Sequence, residues 1–128
     1  MKVAKFGGSS LADAEKIANV CDIILADDER RVVVVSAPGK RDAEDVKITD
    51  LLIACGEHAL AGTDGAASLD AVIERYTSIQ RELGLAGDLL ETIADNLRSC
   101  VGADRSHPNR YLDALKAAGE DNCARLVA

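Results

Sequence analysis

The sequence predicts an α/β fold in which one βαβ unit is followed by several helices, and three patterns carry that prediction. Val3 to Phe6 and Arg31 to Ser36 ("RVVVVS") are short, β-branched segments, the second a continuous apolar run of the kind found in strands covered on both faces. The residues between them repeat apolar positions with helical spacing, and four further helical patterns follow. With 48% hydrophobic but only 2% aromatic residues, the core must be built from Val, Leu, Ile and Ala. A chain of 128 residues is the size of one domain, able to bury about two-thirds of its unfolded surface.

Taken in order, Val3 to Phe6 reads as a buried parallel strand. In "SSLADAEKIANVCDIILADD", Leu11, Ala14, Ile17, Ala18, Cys21, Ile24 and Leu25 fall on one helical stripe, with Ser10 and Asp13 in the relation of a capping box. Strand, helix and strand within 36 residues make a βαβ unit with an expected right-handed crossover. "APGKRDAEDVK" is then polar, carries a Pro-Gly turn and predicts a loop lasting to Ile48. Helices are expected over about 49–61, 67–84 (Leu69, Val72, Ile73, Tyr76, Ile79 and Leu83 in phase), 87–101 (Leu90, Ile93, Leu97, Cys100) and 108–127, the last opened by Pro108. "LAGTDGAAS" and "GADRSHPN" supply the breaks, and there is no internal repeat.

This inventory is short of strands, because parallel sheets are usually larger and two strands have little independent stability. The last helical pattern also runs apolar ("CARLVA") without a Gly or Pro stop. The expectation is a domain truncated in mid-fold, whose bare apolar face or edge is covered by another copy of the chain, a homo-oligomer.

A net charge of −7 and a pI near 4.7, with no cationic stripe, argue against a nucleic-acid partner. Cys21, Cys55, Cys100 and Cys123 form no CxxC pair and lie within helical patterns, as reduced, buried thiols would. "MKVAKFGG" is too short in apolar residues for a signal sequence, and no run approaches the ~18 needed to span a bilayer. The expectation is a soluble, cytoplasmic protein with no membrane partner.

"KFGGSS" holds the chemistry. It matches neither GxxxxGK[ST] nor GxGxxG. Its residues nonetheless supply a strand end, two glycines that let a ligand approach the backbone, the Ser9 and Ser10 hydroxyls, and a helix start with free N–H groups. Lys5 adds a cation, and ligands of open α/β sheets sit at the carboxyl ends of the strands. The second strand likewise ends in "SAPGK", followed by Lys40, Arg41 and Lys47, a basic group able to act on an anion within a Debye length of about 8 Å. The plain alternatives are a strand-to-helix turn that needs glycine for its dihedrals, and solvated loop charges. His58 and His107 fit no motif and read as surface or capping residues; no metal site is indicated.

"VAKFGGSSLAD" resembles the aspartate kinase signature KFGGTSVAD. "VVVVSAPGK...ITDLL" resembles that family's VVVSAMG strand and loop with a Thr-Asp-Leu-Leu helix start, and "GEDNCARL" resembles its GExxSARL segment. Order and approximate spacing agree over essentially the whole chain. The resemblance implies the N-terminal half of an amino acid kinase-like three-layer αβα sandwich, with residues 1–128 forming the amino-acid-substrate part of an aspartate kinase catalytic domain. It implies phosphoryl transfer from ATP, with Mg2+, to the side-chain carboxylate of L-aspartate, the first step towards lysine, threonine and methionine. An ionised carboxylate needs no general base, so positioning and charge stabilisation carry such a reaction.

By that resemblance Lys5 contacts the transferring phosphate as the catalytic residue; Lys5, Gly7, Gly8 and Ser9 bind phosphate; and Ser36, Thr49 and Glu120 hold aspartate, Glu120 through the α-ammonium group. Thr49 as a helix N-cap and Glu120 as a solvated acid are the structural alternatives. The departures are Ser9 for Thr, Leu11 for Val, Pro38 for Met, the insert "KRDAEDVK", and Cys123 at the family's serine. The family's nucleotide-binding half, with its GRGGSD segment, and its regulatory ACT domains have no counterpart in these residues, so the chain alone is expected to be inactive. Two other readings stay open: a non-catalytic anion-binding or interaction module, and an amino acid kinase acting on glutamate, acetylglutamate, carbamate or a nucleotide.

Overall fold

A computed structural model describes residues 1–128. Strand β1 (Lys2–Phe6) leads through a 3-10 turn (Gly8–Ser10) into α1 (Ala14–Leu25) and then β2 (Arg30–Val35), and α2 (Ile48–Ala61), α3 (Ala66–Leu83), α4 (Gly87–Val101) and α5 (Pro108–Val127) follow. The two strands pair in parallel, Val3 against Val32 through Phe6 against Val35, with one irregularity at Lys2. The predicted βαβ unit and all four later helices are present, their ends within a residue or two of expectation.

Two local expectations are corrected. Ser10 does not cap α1: it closes the 3-10 turn, and Asp13 is the cap, its carboxylate accepting from the Lys16 amide at 2.9 Å. The buried face of α1 is Ala14, Ile17 and Val20, while Ala18 and Leu25 of the predicted stripe are exposed.

The expectation that "RVVVVS" is covered on both faces also fails. Alternation along the strands puts Ala4, Phe6, Val33 and Val35 on a partly covered face, against which α1 and α5 pack. Val3, Lys5, Val32 and Val34 share the other face and are exposed, Val3 by 64% and Val34 by 45%. All five helices leave that face bare.

The core lies among the helices. Leu52, Val72, Tyr76, Ile79, Ile93, Leu97, Tyr111 and Leu115 form one cluster, which Leu11, Ile17 and Ala37 join from the sheet side. Helix α5 fits closely against α2 because Gly56 and Gly119 have no side chains: a Cβ on Gly119 would stand 3.0 Å from Leu52 Cδ1 and 3.2 Å from Ala37 Cβ. All four cysteines are free; Cys55 and Cys123 are buried, whereas Cys21 and Cys100 are only partly so. Burial pushes the Cys123 thiol up to about 12. No helix is long and apolar enough to cross a membrane.

Candidate functional site

Both strands deliver their chains to the same end of the sheet. The Ser36 amide donates to the Phe6 carbonyl at 3.1 Å, carrying the ladder one step beyond β2. Past it, Ala37, Pro38 and Gly39 are buried, although the sequence pattern there predicts a polar loop. The reason is the first loop: the Gly39 amide donates to the Gly8 carbonyl at 2.9 Å, and a Cβ on Gly39 would stand 2.7 Å from Gly8 C and 3.0 Å from the Ser9 amide nitrogen. The two glycine loops cross with their backbones touching, a contact only glycine permits at position 39.

An open cavity of about 540 Å³ lies over this crossing, lined by Gly8, Ser9, Ser36, Ala37, Pro38, Gly39, Lys40, Lys47, Thr49 and Glu120. Five of the residues singled out from sequence meet here: Gly8, Ser9, Ser36, Thr49 and Glu120. Lys40 and Lys47, read before only as part of a basic loop, join them.

Each wall has a structural cause. The Ile48 amide donates to the Pro38 carbonyl at 3.2 Å, so α2 begins against the second loop. Lys47 occupies the N-cap position without a side-chain cap bond, and Thr49 stands within the first turn, so Thr49 is not the cap. Thr49 lines the cavity at the helix start, where backbone N–H groups lack intrahelical partners. Glu120 arrives because Gly119 packs on Ala37 and Leu52, and because the buried Tyr76 hydroxyl donates to the Gly119 carbonyl at 2.6 Å.

Lys5 and Gly7 stand outside the cavity wall. Lys5 is exposed on the bare sheet face opposite Val34, and its side chain makes no hydrogen bond or ion pair within the chain. Gly7 has φ −81°, and a Cβ there would meet nothing within 4 Å. Cys123 is fully buried in the core and takes no part in the cavity. His58 and His107 are exposed; His58 Nδ1 lies 2.7 Å from the Thr63 hydroxyl, and His107 holds the N-cap position of α5 without a side-chain bond.

Sequence reasoning missed the residues that hold the site from behind. Arg75 of α3 is 5% exposed, and its guanidinium donates to the carbonyls of Ala12 (3.0 Å), Gly39 (2.8 Å) and Val46 (3.1 Å). It also lies 3.2 Å from Asp45 Oδ2. Asp45 in turn accepts a two-pronged bond from Arg41, Nε at 2.7 Å and Nη2 at 2.9 Å. That bond holds the Asp45 carboxyl far below the usual carboxylate range, while burial lowers the pKa of Arg75. The available signal was a charged residue on the buried row Val72, Arg75, Ile79 of a strongly periodic helix.

Comparison with known proteins assigns the family and the fold. The profile of the amino acid kinase family matches residues 1–128. The chain is 52% identical over 128 residues to aspartokinase 3 of Bacillus subtilis, a match covering 100% of this chain and 28% of that protein. It is 32% identical to the chloroplastic aspartokinase 2 of Arabidopsis thaliana, over 98% of this chain and 23% of that one. Clostridium acetobutylicum aspartate kinase superposes with a TM-score of 0.82 at 35% identity, over 94% of this chain and 26% of that one. E. coli aspartokinase III in complex with aspartate and ADP superposes with a TM-score of 0.73 at 28% identity, over 98% and 27% of the two chains. The chain thus spans about a quarter of the length of the relatives it matches.

Proposed function

The chain belongs to the amino acid kinase family, and from that premise we propose that residues 1–128 form the amino-acid-substrate part of an aspartate kinase catalytic domain. The observation that carries this reading is the cavity, where Ser36, Thr49 and Glu120 converge on the crossing of two glycine loops with Lys40 and Lys47 beside them. L-aspartate offers two carboxylates and an ammonium group. The lysines, hydroxyls and helix-start amides suit the former, and Glu120 suits the latter.

In this reading Ser36 and Thr49 orient aspartate so that its side-chain carboxylate, already ionised, faces the γ-phosphate of ATP. Gly8 and Ser9 present backbone N–H groups to the phosphates. Gly7, where the protein leaves open space, gives them room. Lys5, exposed and unpaired one strand residue before the loop, swings its ammonium group over the glycines and neutralises charge developing on the transferred phosphoryl group. Glu120 is the cavity's one carboxylate, so these residues alone would not hold Mg2+, which would supply charge neutralisation as a companion of the nucleotide. The rest of the nucleotide site lies in residues outside these 128, so the chain alone turns over nothing. The complete enzyme acts in the cytoplasm and, with an apolar sheet face to cover, as a homo-oligomer.

The test is formation of aspartyl phosphate, trapped with hydroxylamine, from ATP and L-aspartate by the complete enzyme. Lys5→Ala is expected to lower kcat by about 10²-fold with little change in aspartate KM, and Glu120→Ala to raise aspartate KM by about 10-fold or more. Absence of aspartate-dependent turnover in the unaltered enzyme refutes the reading, and full activity in Lys5→Ala removes Lys5 from it.

A further inference from the structure

Helix α3 contributes nothing to the cavity wall, yet one of its side chains is bonded to every segment that forms the loop side of it. Of the three carbonyls that Arg75 binds, one belongs to a lining residue, Gly39, and the other two to residues close in sequence to lining groups. Gly39 precedes Lys40, Val46 precedes Lys47, and Ala12 follows the Gly8–Ser10 turn. A guanidinium can do this because its donors form a rigid planar fork, whereas a lysine ammonium is a single point of charge. The ion pair with Asp45, itself gripped by Arg41, adds to Gly39 and Val46 a third hold on the 39–47 loop.

We propose that Arg75 is a positioning residue for phosphoryl transfer, fixing the 39–47 loop so that Lys40 and Lys47 face the bound anionic substrate. This rests on the reading of the cavity as the aspartate site. The loop is otherwise weakly anchored, for Lys40, Arg41, Asp42, Ala43, Glu44, Val46 and Lys47 are all exposed. Its other bonds, Arg41 to Asp45 and the Asp45 and Glu44 amides to Asp42, close the loop on itself, so between its stems the tie to the rest of the chain is the buried guanidinium. Arg75 touches no substrate in this arrangement; it acts through the carbonyls it holds.

The experiment compares Arg75→Met and Arg75→Lys in the complete enzyme with Leu97→Ala, a cut in the core that leaves the loops alone. Two readouts are taken well below each variant's melting temperature: aspartate KM and kcat, and hydrogen exchange of the Gly39, Arg41 and Ile48 amides. Arg75→Met is expected to raise aspartate KM at least 10-fold and to speed exchange at those amides at least 10-fold, with α4 amides unaffected. Arg75→Lys is expected to fall between it and the unaltered enzyme, and Leu97→Ala to lower the melting temperature while leaving KM and loop exchange alone. Should Arg75→Met fail to fold, Arg75→Lys decides by the same measures. Unchanged KM and exchange in the Arg75 variants, or an equal KM rise in Leu97→Ala, overturns the proposal. If the unaltered enzyme does not phosphorylate aspartate, the functional reading falls while the exchange arm still decides whether Arg75 holds the loop.

Discussion

The carboxyl ends of the two strands and their faces differ, and the contrast separates the part of this molecule that is closed from the part that is open. At their carboxyl ends the ladder passes into loops whose backbones touch at Gly8 and Gly39 and are tied down by a buried arginine. Along their length the same strands leave Val3, Val32 and Val34 exposed on one face. On the other face an apolar groove of about 470 Å³ opens between Cys21, Ile24, Val33, Val35 and Val127. Hydrogen-bond geometry closes the chemical end from within the chain, whereas the sheet relies on apolar burial that two strands and five helices do not complete. Two loops can therefore be locked together by backbone bonds on a scaffold whose hydrophobic layers are incomplete.

The strongest challenge to that contrast is Gly39→Ala. Its Cβ would overlap the Gly8 backbone, which has no flexible end to move aside, and a loss of stability of about 3 kcal/mol is expected in chemical denaturation. Gly7→Ala is its partner experiment, since open space and an ordinary φ predict a stability change within about 0.5 kcal/mol. If phosphate does approach the backbone there, the same substitution is expected to lower kcat/KM about 10-fold in the complete enzyme. Equal stability of the two variants would dissolve the closed end.

The open end is tested by association. The 128-residue chain is expected to show a concentration-dependent mass in sedimentation, and the double variant Val32→Lys, Val34→Lys to sediment closer to a monomer. A concentration-independent monomer in both would show that the bare face drives no assembly. The smallest expected effect belongs to Asp45. Its folded-state pKa is depressed, chiefly by the Arg41 hydrogen bond, so the stability it contributes is present above the unfolded value of about 3.9 and is lost as pH falls towards the folded value. Acid unfolding of Asp45→Asn is expected to be shallower than that of the unaltered chain below about pH 4; coincident curves would remove Asp45 from the loop's support.

Periodicity sufficed for α2 to α5, because each carries an uninterrupted apolar row long enough to outvote local exceptions. For β2 the pattern finds the strand but not its exposure, since an apolar run reports what a strand could bury and not whether a neighbour is there to bury it. Ser36, Thr49 and Glu120 were legible because motif order survives folding, and the cavity gathers them from three elements. The Ser10 cap was misassigned because Asp13 competes three residues later and wins once the Gly8–Ser10 turn forms. The periodicity of α3 marks Arg75 as a charge on a buried row, but no local rule names its partners, which lie 63, 36 and 29 residues away.

That guanidinium also bears on how the loop can change with time. The segment between Gly39 and Val46 leaves from one carbonyl held by Arg75 and returns to another held by the same group. Its two stems are therefore fixed at a constant separation, and residues gained or lost between them need only close a short solvent-exposed arc, at about 0.6 kcal/mol per doubling of length. Length at this point is uncoupled from the spacing of the walls on either side. An insertion among the exposed residues Asp42 to Glu44, disruptive when the sequence is read linearly, is absorbed in three dimensions at the surface, outside Lys40 and Asp45.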